Sequence, residues 1–195
     1  MQVQKHARIV NIRKLSRYFL FLSVFAMAMV AIGGLAFPVI MVMAPSGDLT
    51  LTAYLAKAVT LNDGFFTLLQ SGISTDLKVI ASVVAILFCA LMEFVLVHIN
   101  KLLTCFYEGE IFNRKAIFHA RRAFNLNLIL AVAMLGINLL AIIFSYVEPS
   151  AGGSGNIGHF LGSVLDQLTW IGFFLLLLWS LEIGVDLNEE AELTI

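Results

Sequence analysis

Charge is scarce in this sequence. Only 13% of its 195 residues are Asp, Glu, Lys or Arg, against about 25% in an ordinary soluble domain. A chain so poor in charge cannot cover a globule with polar groups. That excludes a water-soluble globular enzyme, a disordered chain and a nucleic-acid-binding domain. Cysteine is nearly absent: Cys89 and Cys105 have no second Cys or His at zinc spacing. Sixteen residues of chain and a reducing compartment argue against a disulfide between them. The sequence contains no phosphate-cradling glycine loop, no His-Glu-x-x-His, and no Ser-His pair at one depth. No enzymatic activity, cofactor or metal site is expected.

What remains is apolar. The chain is 60% hydrophobic, with a mean hydropathy of +0.94. Crossing about 30 Å of hydrocarbon takes roughly 20 apolar residues in a helix. Four segments qualify: Tyr18 to about Met43, about Val79 to His98, Ala123 to Val147, and about Leu161 to Gly184. In lipid, backbone polar groups must be satisfied within the chain, so these runs are predicted helices. They are too long and too continuous for barrel strands. The first run also exceeds the 7–15 residues of a signal-peptide core, and Pro45 follows the small-residue site at Val42-Met43-Ala44. It reads as an uncleaved anchor. The predicted fold is all-α, a four-transmembrane-helix bundle with a long first outer loop and an acidic tail over 185–195.

The charges are polarised along the chain. No acid precedes Asp48, and no Lys or Arg follows Arg122, a stretch that holds seven acids. Lys5, Arg8, Arg13, Lys14 and Arg17 precede the first span. Lys101, Arg114, Lys115, Arg121 and Arg122 lie between the second and third, while Lys57 and Lys78 occupy the first outer loop. The positive-inside rule then puts ten of twelve cations on one side, with both termini cytoplasmic.

Loop composition refines this picture. In the 44–77 loop, Pro45-Ser46-Gly47, Asn62-Asp63-Gly64 and Ser71-Gly72 are turn signals. Leu51, Tyr54, Leu55, Ala58, Val59 and Leu61 between them have rough helical spacing. Either an amphipathic surface helix or an irregular loop fits that segment. The 148–155 loop is flexible by composition. In the inner loop, Gly109 is a predicted left-handed helix terminator. Asn113 is a predicted N-cap, and Phe112 and Ile117 stand at hydrophobic-staple spacing. Arg114, Lys115, Arg121 and Arg122 would meet anionic headgroups or a soluble partner.

Within the spans, Glu93 lies about 22 Å along the helix from Lys78, well inside the bilayer. Such an acid is costly, so a protein partner is expected. Glu93, Asn125, Asn127 and Glu182 are predicted to form an intramembrane polar layer neutralised by Arg121, Arg122 or Arg17. Ala81, Ala85 and Cys89, four residues apart, allow close helix approach, and Pro38 with Gly33-Gly34 offers a kink in span one. His6, His98, His119 and His159 read as scattered residues, not a site.

Two motifs resemble a known family. Phe106-Tyr107-Glu108-Gly109-Glu110-Ile111-Phe112-Asn113 resembles the inner loop of the bacterial domain of unknown function 2975 family. The terminus from Leu181-Glu182-Ile183 to Leu193-Thr194-Ile195 is similar to that family's ending. The likeness covers the chain from about Val79 onward, and the long first outer loop departs from it. It implies a small bacterial inner-membrane protein without catalytic activity, often encoded beside a small helix-turn-helix regulator. The expected function is therefore sensing or regulation through such a cytoplasmic partner, without direct nucleic-acid binding. The contact surface would comprise Glu108, Glu110, Arg114, Lys115, Arg121 and Arg122 with Asp186, Glu189, Glu190 and Glu192 of the tail. The alternative is a small transporter or channel subunit using Glu93 and Glu182.

Overall fold

A computed structural model describes residues 2–58, 72–110, 113–147 and 157–193, with the side chains of 2–11, 56–58, 159 and 192–193 left aside. The described elements run α1 (Gln2–Met43), β1 (Ser46–Leu49), α2 (Leu51–Ala58), α3 (Thr75–Glu108), α4 (Arg114–Val147) and α5 (Ile157–Leu193). The architecture is an all-α four-helix bundle. Stretches within α1, α3, α4 and α5 are long and apolar enough to cross a membrane. At about 1.5 Å per residue, even the 34 residues of α3 reach about 51 Å, well beyond a 30 Å hydrocarbon core. The surplus length lies outside the apolar runs and carries most of the charges, with Glu93, Asp166 and Glu182 inside them.

The exposed surface fits that reading. Phe21 and Leu35 are each 76% exposed, with many other large apolar side chains along the same helices. Water would penalise such a surface, whereas lipid tails do not. Hydroxyls inside the helices turn inward on the backbone: Ser82 donates to the Lys78 carbonyl, Thr104 to Asn100, Thr169 to Leu165 and Ser180 to Leu176. Each hydroxyl proton is thereby satisfied without water.

The chain divides into two compact units. One comprises Met1–Ala31, Leu91–Leu128 and Trp170–Ile195, and the other Ile32–Ala90 and Ile129–Thr169. In the second unit, Met41, Ala44, Leu49, Ile73 and Leu77 form a buried apolar cluster, with Ala53, Tyr54 and Ala81 packed against it. Within the 44–77 loop, Leu51–Ala58 is helical; Val59, Leu61 and the Asn62-Asp63-Gly64 turn lie outside the described residues. Thr50 caps α2 by accepting from the Ala53 amide, and Ser74 caps α3 by accepting from the Leu77 amide. Gly47 and Gly72 cross so closely that a Cβ on Gly47 would lie 2.7 Å from Gly72 Cα.

One detail departs from the sequence reading. Lys78 is no loop cation: it sits buried in the first turn of α3, where its Nζ donates to the Ala44 carbonyl at 2.6 Å and the Ser46 hydroxyl at 3.3 Å. A cation here satisfies carbonyls left open at the end of α1. The helix α1 runs unbroken through Pro38. The acidic tail continues α5 as helix to Leu193. The small-residue stripe on α3 does permit close approach: a Cβ on Gly34 would lie 3.0 Å from Cys89 Cβ and 3.3 Å from its Sγ. Both cysteines are free thiols.

Candidate functional site

The charged residues of the first unit are positioned by a built turn. α3 ends in a Schellman motif, in which the Gly109 amide donates to the Phe106 carbonyl and the Glu110 amide to the Cys105 carbonyl. Gly109 adopts φ +89°, a left-handed conformation that an L side chain resists. Arg13 from α1 donates to the Glu108 carbonyl at 3.3 Å, placing a cation at the negative end of α3. The predicted cap forms: the Lys115 amide donates to Asn113 Oδ1 at 3.0 Å, and Asn113 Nδ2 donates to Glu110 Oε2. Phe112 of the predicted staple lies outside the described residues.

From that turn, α4 and α5 are joined by two ion pairs. Arg114 grips Glu189 through Nε and Nη2, both at 2.7 Å, and Arg121 Nε donates to Glu182 at 2.7 Å. Arg114 and Arg121 are seven residues apart, as are Glu182 and Glu189. Seven residues are two turns, so each pair of like charges occupies one helix face. Between them Val185 is buried, 2% exposed, and Ala116 on α4 is completely covered. The Arg114 hydrogen bond holds the Glu189 carboxyl below the ordinary carboxylate range.

The remaining docking candidates are distributed over this face. Lys115, Arg122, Asp186 and Glu190 are exposed, as are Glu108 and Glu110, and Arg122 lies 5.6 Å over the Phe118 ring. The Glu192 side chain lies outside the described residues.

The intramembrane candidates come together only in part. Glu182 meets Arg121, as predicted for the layer. Among the described residues, no hydrogen bond joins Glu93, Asn125 and Asn127 to one another or to Glu182. Glu93 Oε1, Ser23 Oγ and Asn100 Oδ1 are buried without a hydrogen-bond partner. Asn125 is exposed. Asn127 lines a partly open cavity of about 260 Å³ whose other walls are apolar, from Val95, Leu102 and Phe106 on α3, Phe124 on α4, and Phe174 and Leu178 on α5.

A histidine pair escaped the sequence reading. His98 and His119 approach at 3.1 Å between their Nδ1 atoms, with ring centroids 5.4 Å apart. One ring must donate and the other accept, so at least one is neutral at that nitrogen. Burial, then the charges of His98 and Lys101, lowers the affinity of His119 for a proton. The available signal was that both histidines flank the same interhelical turn. Among the described residues, no group of three His, Cys, Asp or Glu side chains is arranged to hold a metal.

Length and composition fit four helices to cross a membrane, so the chain has the make-up of a multi-pass membrane protein. Comparison of the sequence with models of known protein families finds no match, and neither characterised proteins nor solved structures match it.

Proposed function

We propose that this protein is a non-enzymatic regulator of the bacterial inner membrane, with both termini cytoplasmic, that holds a soluble partner on the face shared by α4 and the end of α5. The single observation that carries the reading is the Arg114–Glu189 pair. It joins two segments of opposite charge, and both side chains remain open to solvent, 79% and 40% exposed. Exposed ion pairs hold weakly and are screened by salt. A charged partner can therefore exchange for either half without disturbing the buried contacts of Val185 and Ala116. A basic DNA-binding domain would pair with Asp186, Glu189 and Glu190, and such an acidic surface competes with phosphate for the same cations. The resemblance of the inner loop and the terminus to a family often encoded beside helix-turn-helix regulators supports that choice.

The test is affinity capture of the full chain from its native membrane in mild detergent, followed by mass spectrometry. A small DNA-binding protein should be retained, be lost when residues 186–195 are deleted, and be weakened by Glu189→Lys. Retention of every partner after the deletion refutes the docking reading. A second reading, passage of a proton or ion, is favoured by the unpartnered Glu93 Oε1. It requires Glu93→Gln to abolish a measurable flux in proteoliposomes while the helices stay folded. Orientation is tested by labelling a cysteine placed at Gly153, which should react only from the periplasmic side.

A further inference from the structure

We propose that the cavity between α3, α4 and α5 is a binding site for one acyl chain of an anionic phospholipid, drawn from the leaflet that faces the arginine-rich helix ends. The walls are hydrocarbon apart from Asn127, and the volume is about 260 Å³. An apolar cavity of about 150 Å³ already stays dry and takes up benzene. This larger one sits on helix segments that carry the apolar runs, so hydrocarbon rather than water fills it. The partly open, almost wholly apolar lining suits a flexible hydrocarbon chain.

Cations interleave the cavity's lining residues along the sequence. The α3 wall runs from Val95 to Phe106 and is interrupted on the surface by Lys101, while Arg121 and Arg122 fall between the lining residues Ala120 and Ala123. Arg121 is paired with Glu182. Among the described residues, Lys101 and Arg122 have no carboxylate within ion-pair distance, and the Arg122 guanidinium rests on the Phe118 ring. A chain moving from bilayer to cavity gains almost nothing from the hydrophobic effect, because both surroundings are apolar. Selectivity therefore comes from the headgroup. Attraction of an anionic headgroup to each such cation corresponds to about a five-fold preference, and the two together to about 25-fold. The site depends on the membrane reading alone, and stands whether or not a soluble partner docks on the charged face.

The experiment is native mass spectrometry of the full-length protein taken from nanodiscs of mixed phosphatidylglycerol and phosphatidylcholine. The intact protein should retain one phosphatidylglycerol in preference to phosphatidylcholine, by about 25-fold. Ala120→Phe and Asn127→Phe, which fill the cavity, should each remove the retained lipid of either kind, with helicity and elution volume unchanged. Lys101→Gln with Arg122→Gln, a surface change that spares the cavity, should keep one lipid but abolish the preference. Equal retention of both lipids by the unaltered protein overturns the proposal. So does undiminished retention in a folded filled variant, or a lipid-free dimer that dissociates when the cavity is filled.

Discussion

Replacing Gly109 by alanine tests how the charged face is built. Gly109 has φ +89°, and its amide donates one of the two hydrogen bonds that close α3. A side chain in the left-handed region costs about 1–2 kcal/mol, because Cβ crowds the following carbonyl oxygen. The new Cβ would also stand 3.1 Å from Arg13 Nη2. That guanidinium is the far end of a flexible chain and can move, but moving it loosens its bond to the Glu108 carbonyl, a contact worth about 1 kcal/mol. Gly109→Ala should therefore lower stability by about 2 kcal/mol. The assay is reversible unfolding of the protein in mixed micelles by added dodecyl sulfate, followed through the fluorescence of Trp170 and Trp179. Gly109→Asn should recover part of the loss, since Asn enters the left-handed region more readily. Arg13→Gln should reproduce only the smaller, hydrogen-bond share. If Gly109→Ala unfolds together with the unaltered protein, the left-handed closure of α3 is not what sets this turn.

Further predictions concern the other unit and the response to acid. Gly34→Leu should destabilise strongly by driving α1 against Cys89, whereas Gly33→Ala, with no atom within 4 Å of its added Cβ, should leave the midpoint unchanged or slightly raised. Lys78→Met should cost about 1–3 kcal/mol in the same assay, because the buried Ala44 carbonyl loses its donor. The hold of Arg114 on Glu189 lowers the carboxyl below its ordinary 4.5, so the pair's contribution is complete above that pH and is lost as pH falls through the lowered value. Protection of the amides over 186–193, taken as exchange relative to the intrinsic rate at each pH, should accordingly fall on acidification through that lowered value, and Arg114→Gln should reduce it already at neutral pH. His119, lowered from 6.5, favours the neutral ring in the folded state. Its contribution is present above that pH and falls on acidification below it; one charged ring can still donate to the neutral one, so the His98–His119 contact should break only when both rings are charged, as read by imidazole nitrogen shifts.

Much of the architecture is written in one-dimensional pattern. The four spans are legible because a lipid-immersed helix must be apolar for about 20 residues, a constraint that needs no knowledge of neighbours. Gly109 and Asn113 are legible because caps depend on local backbone geometry, and both sit where their residue types predict. Tertiary structure decided what residues distant in sequence do for one another. Arg114, Arg121, Glu182 and Glu189 are visible as charges, but only the antiparallel meeting of α4 and α5 turns two seven-residue spacings into two ion pairs. Lys78 looks like an exposed loop cation until the Ala44 carbonyl is brought beside it, and His98 and His119 look unrelated until α3 and α4 align. The physical reason is the same in each case: lipid solvation and capping act within a few turns of one helix, whereas ion pairing and burial depend on which helices become neighbours, and that is settled by packing across the whole fold.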